Sequence, residues 1–494
     1  MKILFVYPRY PDTFWSFKHA LRFVSKKAAF PPLGLLTVAS MLPPEWQKKL
    51  VDINVSPLMD KDIEWADYVF ISGMVVQKKS AKEIIARCRK LGVKTVAGGP
   101  LFTAGFEDFE EVDHLVLGEA EVTLKPFLED LEKGCARHIY NSAERPDISH
   151  TPVPMWSLIE TKHYASMNLQ YSRGCPFDCE FCDIVSLNGR TPRTKTKEQV
   201  LAELDAIYEN DWRGSVFVVD DNFIGNKKKL KAEILPAIID WKKDKKDPFA
   251  FCTEASINLA DDDELIGLMV SAGFDVVFVG IETPNAESLV ECAKGQNQNR
   301  DLVASVKKLQ RSGLEVQGGF IVGFDSDPES IFQTQIDFIQ KSGIVTAMVG
   351  LLNAPTGTRL YQRLKGEGRL QTSFSGNNTD FSINFIPKMD HEKLLKGYQR
   401  ILDTIYSPKE YYRRMKTFLN EYKPMRTKPG KVHAHQIKAF FRSIWVLGIK
   451  DTGRRHYWEL FGTYLVTSPP KFARFILLSV YGYHFRKVSA AQTG

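Results

Sequence analysis

No stretch of this 494-residue chain approaches the ~18 consecutive apolar residues that a membrane-spanning helix requires. Its opening, Met1-Lys2-Ile3-Leu4-Phe5-Val6-Tyr7-Pro8, has no long apolar core and no small-residue cleavage site. It reads as a buried first strand, and a cytoplasmic protein is the expectation. Cysteine is scarce: there are 7, of which Cys88, Cys135, Cys252 and Cys292 are scattered. That excludes a disulfide framework. With 44% hydrophobic and 25% charged residues, the composition also excludes disorder. There is no internal repeat and no low-complexity segment. The length calls for two or three domains.

Acidic residues are nearly missing from one end. From Arg426 onward, twelve basic residues, among them Arg426, Lys428, Lys431, Lys438, Arg442, Arg474 and Arg486, face only Asp451 and Glu459. That segment carries +10, which leaves −3 for residues 1–425 of the +7 total. The excess points to an anionic contact: a membrane surface, nucleic acid or an acidic ligand.

The first 140 residues alternate short apolar strands with helical patterns. Strands are expected at Ile3–Tyr7, Leu50–Val55, Tyr68–Gly73, Val93–Ala97 and His114–Leu117, with helices such as Lys82–Leu91 and Glu121–Leu131 between them. This spacing predicts a doubly wound, Rossmann-like α/β domain, which binds ligands at the carboxyl ends of its strands. Gly73, Gly98, Gly99, Pro100, Gly118 and Glu119 all follow strands at that edge. Residues 141–165, with Pro146, Pro152 and Pro154, read as a linker.

A second alternation follows over 166–365. Strands are expected at Leu169–Ser172, Val216–Asp220, Ala250–Glu254, Val276–Ile281, Val316–Val322 and Thr346–Leu352. Helices such as Lys197–Glu209, Asp262–Ala272, Leu302–Ser312 and Pro328–Lys341 separate them. Six strand–helix units predict a partial or full α/β barrel, with its chemistry at the carboxyl ends of the strands. Beyond Gly366, helices are expected at His391–Tyr406 and Pro408–Tyr422, and 366–494 reads as a mainly helical, basic and aromatic region.

The three remaining cysteines, Cys175, Cys179 and Cys182, are spaced C-x3-C-x2-C directly after the first barrel strand. Thiolates are the usual ligands of iron–sulfur clusters. Three on one short loop hold three irons of a cubane and leave the fourth open to a reactant. A closed structural zinc site would need a fourth ligand, and no other Cys or His lies within this loop.

The segment Gly174-Cys175-Pro176-Phe177-Asp178-Cys179-Glu180-Phe181-Cys182 resembles the signature of the radical S-adenosylmethionine (SAM) family, over roughly residues 165–365. The resemblance implies a [4Fe–4S] cluster whose open iron chelates SAM and cleaves it to a 5′-deoxyadenosyl radical. The backbone beside Phe181 would contact adenine. Gly319-Phe320-Ile321-Val322-Gly323 resembles the family's adenine-binding G-x-I-x-G. The glutamate that often follows is replaced by Ser326, between Asp325 and Asp327. Strand ends place Asp220, Asp221 and Asn222, Glu254, Glu282 and Asn353 as candidate SAM contacts, although a lone carboxylate there is often only a helix cap.

A doubly wound domain before this core resembles the cobalamin-binding class. The matching motifs are Pro31-Pro32-Leu33-Gly34-Leu35, Gly98-Gly99-Pro100 and Leu117-Gly118-Glu119-Ala120-Glu121, with Pro32 among the candidate contacts. Some cobalamin proteins supply a lower axial histidine from D-x-H-x-x-G. Here Asp52-Ile53-Asn54-Val55-Ser56-Pro57 has none, and the alternative is an α/β domain that binds nothing. Further motifs, including Tyr7-Pro8-Arg9-Tyr10, Val219-Asp220-Asp221-Asn222 and Gly280-Ile281-Glu282-Thr283-Pro284, are similar to those of hopanoid C-methylases and bacteriochlorophyllide C-methyltransferases.

The resemblance implies a C-methyltransferase for a hydrophobic polycyclic substrate, with methyl passing from SAM through methylcobalamin to an unactivated carbon. Its electron donor would be a ferredoxin or flavodoxin. Cyclisation or rearrangement with the same cofactors is the enzymatic alternative, and a non-catalytic corrinoid or cluster sensor the other. In the tail, Phe440–Leu447 and Phe472–Leu478 mix aromatic, aliphatic and basic residues. They suit either a peripheral membrane contact or packing on the barrel. His433, His435, His456 and His484 show no ligand spacing, and no nucleic-acid-reading module is present.

Overall fold

In this computed structural model, which describes residues 1–424 and 434–492, two parallel six-stranded sheets succeed one another along the chain. The first contains β1 (Lys2–Tyr7), β2 (Gln47–Asp52), β3 (Tyr68–Ser72), β4 (Lys94–Gly98), β5 (His114–Val116) and β6 (Ile139–Tyr140), in the order β2-β1-β3-β4-β5-β6. Separate apolar clusters cover its two faces, one around Leu4, Ile71 and Phe102 and one around Ile3, Phe5 and Phe127. Such two-sided burial makes these strands continuously apolar. The order reverses between β1 and β3, and a crevice opens at the carboxyl ends beside such a reversal.

The expected strand Leu50–Val55 lies three residues too late. Asp52 ends it by accepting the Asn54 amide at 2.8 Å and by turning the chain through Val55 and Ser56. A sixth strand, β6, was not foreseen, because two residues carry no periodicity.

The second sheet begins at β7 (Ser166–Leu169). A short antiparallel pair follows, β8 (Ser172–Arg173) with β9 (Arg193–Thr194). Then come β10 (Ser215–Val218), β11 (Ala250–Glu254), β12 (Phe274–Glu282), β13 (Glu315–Val322) and β14 (Ala347–Leu351). The order β14-β13-β12-β11-β10-β7 is sequential, and its two end strands do not pair, so the barrel is partial. The expected strand Leu169–Ser172 is split. After Leu169 the chain leaves the sheet, drawn aside by Asp220, and Ser172 pairs in the small hairpin instead.

Helices pack against the strands of the partial barrel. His391–Tyr406 and Pro408–Glu421 pack on the helix Ile331–Ser342. The last helix, Pro469–Gln492, buries Phe475, Leu478 and Phe485. Phe485 stacks on Phe14, with ring centroids 4.1 Å apart. Arg474 of this helix bonds Asp275 and Glu315 at 2.8 and 2.9 Å. Part of the basic tail therefore packs on the barrel. His484 is buried, and Arg426, Lys428, Lys431 and His433 lie outside the described residues.

Candidate functional site

The cysteine loop is gripped from below by two adjacent carboxylates that follow β10. Asp220 accepts the Tyr171 amide at 2.8 Å and the Ser172 hydroxyl at 2.6 Å. Burial pushes its pKa up to about 7 despite these donors. Asp221 accepts the Gly174 amide at 2.8 Å and Asn188 Nδ2 at 2.9 Å. Gly174 has φ 97°, and a Cβ there would stand 2.8 Å from Thr191 O, so only glycine lets the loop leave β8 this way.

Around the thiols the donors are neutral amides. Asn222 Nδ2 lies 3.9 Å from Cys175 Sγ, and Gln296 Nε2 lies 3.9 Å from Cys179 Sγ. Burial raises the pKa of Cys175 and Cys182, which keeps these thiols protonated until a metal takes the proton's place. Among the described residues, no three His, Cys, Asp or Glu side chains converge as the ligands of a single ion must. A cubane seats each thiolate on a different iron and asks for a wider triangle.

Lys294 was not foreseen. It lies partly buried beside Cys179 and Cys182, with Nζ 2.7 Å from Glu282 Oε1. Burial works to lower its pKa, yet the Glu282 carboxylate and the cysteines raise it overall, so it stays cationic. Glu282 takes φ 62°, a strained angle for a residue with a side chain, beside the irregularity between Gly280 and Glu282 in β12. No spacing rule points from Glu282 to a lysine twelve residues on.

The outer side of the loop is clamped by the helix Arg359–Gly366. Arg363 Nε reaches Glu180 Oε1 at 2.7 Å, and Arg359 Nη2 donates to Asp178 O at 2.5 Å. Asp325 accepts from both Arg363 and Arg369, which hold its carboxyl down at about 2 against the opposing effect of burial. Asp327 accepts the amides of Gly323 and Phe324 at 2.8 and 3.1 Å. Neither aspartate beside Ser326 is left to replace the expected glutamate contact.

A single cavity of ≈ 1290 Å³ joins the carboxyl edges of the two sheets. From the first sheet it is lined by Pro32, Gly73, Gly98, Gly99, Gly118 and Glu119. From the second it is lined by Phe181, Cys182, Glu282, Gly319, Ile321 and Asn353. Phe181 and Ile321 pack on one buried cluster containing Phe324, Leu352 and Ala354.

Five expected residues stand back from this space. Cys175 and Cys179 lie behind Cys182, and Glu254 faces Asp221, Asp220 and Lys294, with its carboxyl raised to about 7 chiefly by burial. Gly323 is turned toward Leu394. Both oxygens of Asp220 hold the cysteine loop, and the residue is not part of the cavity wall. Glu119 lines the cavity, but both its oxygens are taken by Arg173 and Arg193.

The radical SAM superfamily model matches residues 169–339, and a domain of unknown function, DUF4070, matches 358–493. An uncharacterized methyltransferase of Synechocystis is 41% identical over 98% of this chain and 91% of its own. The chain belongs to the radical SAM superfamily. The hopanoid C-2 methylase of Rhodopseudomonas palustris is 33% identical over 93% of this chain and 88% of its own. The solved structure of the radical SAM methyltransferase TsrM from Kitasatospora setae, with cobalamin and a [4Fe–4S] cluster bound, shares the fold at TM-score 0.63. The match covers 100% of both chains at 12% identity. Membership in the radical SAM superfamily makes this chain an enzyme and brings a [4Fe–4S] cluster and SAM with it. The loop's three thiols fit that cluster, while its carboxylates, Asp178 and Glu180, are engaged by Arg359 and Arg363.

Proposed function

We propose that this enzyme is a cobalamin-dependent C-methyltransferase acting on an unactivated carbon of a hydrophobic polycyclic molecule, of the hopanoid or bacteriochlorophyll-precursor kind. The observation that carries the reading is the shared cavity, which lets groups held by either sheet meet over one substrate. It exceeds the ~300–1,000 Å³ usual for a single small ligand. Trp15, Phe217, Phe278 and Phe320 contribute apolar rings to its wall.

Cys175, Cys179 and Cys182 would hold the cluster. The Phe181–Ile321 wall would take the adenine, and Glu282, on the cavity wall, would face the cationic groups of SAM. The first sheet's edge fits a flat macrocycle. Gly99 takes φ 86°, and a Cβ there would collide with Ser72 Oγ, so bare backbone faces the cavity. Asn54 stands where the D-x-H-x-x-G pattern has its histidine, and it is occupied with Pro8 O, Tyr10 N and Asp52. No histidine among the described residues lines the cavity, so none of them would offer cobalamin an imidazole ligand. When bound, the cluster with SAM supplies hydrogen-atom abstraction and cobalamin supplies the methyl group. The protein's own part is to hold these groups against one substrate face and to keep water out. An electron from a ferredoxin or flavodoxin completes the partner set.

The test is anaerobic turnover of the reconstituted enzyme with cobalamin, reductant, SAM and hopanoid or bacteriochlorophyllide substrates, read by mass spectrometry. The Cys175→Ala/Cys179→Ala/Cys182→Ala variant is the control. Release of 5′-deoxyadenosine together with a product one methyl group heavier is expected. Release with an isomeric or ring-closed product and no added methyl would overturn methyl transfer in favour of cyclisation or rearrangement.

A further inference from the structure

The tail leaves an apolar stripe uncovered. The helix Ala434–Ser443 runs directly into the π-helical turns of Ile444–Lys450. Along it Ile437, Phe441, Trp445 and Ile449 recur at every fourth residue, and they are 48%, 63%, 54% and 50% exposed. A four-residue spacing overruns a 3.6-residue turn, and the wider turns after Ser443 take up the excess, so the stripe keeps one face. The other side of the same segment is docked. Ser443 and Leu447 are buried, and Arg442 donates to Arg22 O and Ser25 Oγ at 2.8 and 2.7 Å. The stripe is therefore what remains after the helix has packed. Trp458 widens it by donating Nε1 to Gly448 O at 2.8 Å, and Leu465 and Val466 of the same helix, Arg454–Thr467, are exposed as well.

The charges around this surface are predominantly basic. Lys438, Lys450, Arg454 and Arg455 are exposed, and Lys450 Nζ lies 5.1 Å from the Trp445 ring centroid. Asp451 is turned inward onto Arg486 at 2.6 Å, which leaves Glu459 as the exposed acid of 437–467. Aromatic and aliphatic side chains on one face with cations beside them fit a bilayer interface: the rings enter the headgroup–acyl boundary and the cations meet anionic headgroups. A second copy of the chain fits worse, because a two-fold contact would set the same cations against one another.

We propose that this surface docks the enzyme in-plane on a bilayer containing anionic lipid. No helix among the described residues is long and apolar enough to cross a membrane, so the attachment is peripheral. The helix Ala434–Ser443 packs on Lys18–Val24, whose Lys18 and Leu21 line the cavity. Docking there sets the cavity one helix away from the lipid. The proposal rests on the tail alone and goes beyond the methyl-transfer reading.

The full chain is sedimented with vesicles of phosphatidylglycerol in phosphatidylcholine and with vesicles of phosphatidylcholine alone, at low and high salt. Its oligomeric state is measured in parallel. Two variants accompany it: Phe441→Glu/Trp445→Glu, which removes the apolar face at exposed positions, and Lys450→Glu/Arg455→Glu, which leaves that face and reverses charge. Wild-type binding to the anionic vesicles, reduced by salt and weakened about tenfold or more in each variant, is expected. The proposal is overturned if the wild type fails to bind anionic vesicles, or if both variants bind as well as it does. It is equally overturned if the stripe serves only to hold a dimer that Phe441→Glu/Trp445→Glu dissolves.

Discussion

Arg173, two residues before Cys175, carries its guanidinium across to the first sheet, where Nη1 lies 2.8 Å from Glu119 Oε2. Nη2 of the same group lies 2.8 Å from Glu121 Oε1, and Arg193 of β9 reaches Glu119 from the other side. The hairpin that launches the cysteine loop is thereby pinned to the loop after β5. One set of partly buried charges ties the two halves of the cavity together.

Arg173→Met removes the centre of this clamp and leaves Glu119 and Glu121 poorly compensated. Breaking a buried pair by deleting one partner costs about 3–5 kcal/mol. A lower unfolding midpoint of the metal-free protein is expected, together with less iron bound per chain after reconstitution. Normal iron content at a lowered midpoint would mean that the clamp stabilises the fold without positioning the loop.

Cys292 and Cys179 lie close together but should behave oppositely on substitution. Cys292 is buried, its thiol is pushed up to about 12 chiefly by burial, and its carbonyl accepts the Glu180 amide at 3.0 Å. Cys292→Ala keeps that carbonyl, so iron content and the visible absorption of the cluster should match the wild type. Cys179→Ala should lose both. Equal loss in the two variants would refute the assignment of the triad.

Lys294→Met deletes a cation beside Cys179 and Cys182. A nearby positive charge favours the reduced, more negative form of a cluster, so its removal should make the reduction potential more negative. A redox titration followed by electron paramagnetic resonance reads this directly. Glu282→Gln, which frees the same lysine from its partner, should shift the potential the other way.

His484 gives a pH dependence of known sign. Its Nε2 lies 2.9 Å from Phe14 O, and a carbonyl can only accept, so Nε2 carries the proton. Burial lowers the pKa to about 4 from the usual 6.5; the hydrogen bond to Phe14 O opposes this most, His19 adds to the lowering and Asp12 opposes it further. Between those values the unfolded chain binds a proton that the folded chain refuses. Stability therefore falls as pH drops from about 6.5 to about 4, by about 3 kcal/mol in all, and levels off below. His484→Gln retains a donor for Phe14 O and should flatten that part of the stability profile, measured by denaturant unfolding.

Local pattern was enough to recognise much of this molecule. Helix His391–Tyr406 begins and ends where its apolar spacing does, and Asp262, read as a first helical residue, proves to be the cap that accepts the Leu265 amide at 3.0 Å. Strand ends were harder, because they are set by partners far along the chain. Asp220 draws Tyr171 and Ser172 out of the sheet from about fifty residues away, and no alternation within Leu169–Ser172 records that pull.

The same division runs through the site. The sequence alone determined the thiol donor set, the strand–helix alternation that builds two parallel sheets, and the glycines at the sheet edge, since each depends on neighbours a few residues apart. Only the tertiary structure decided that both carboxyl edges open on one cavity, and that Asp220 and Glu119 serve as struts. It alone placed Lys294 against Glu282 beside the cysteines. The reason is physical: a buried charge takes its role from the partner that compensates it, and here Arg173, Arg193 and Lys294 arrive from separate elements that meet only when the chain folds.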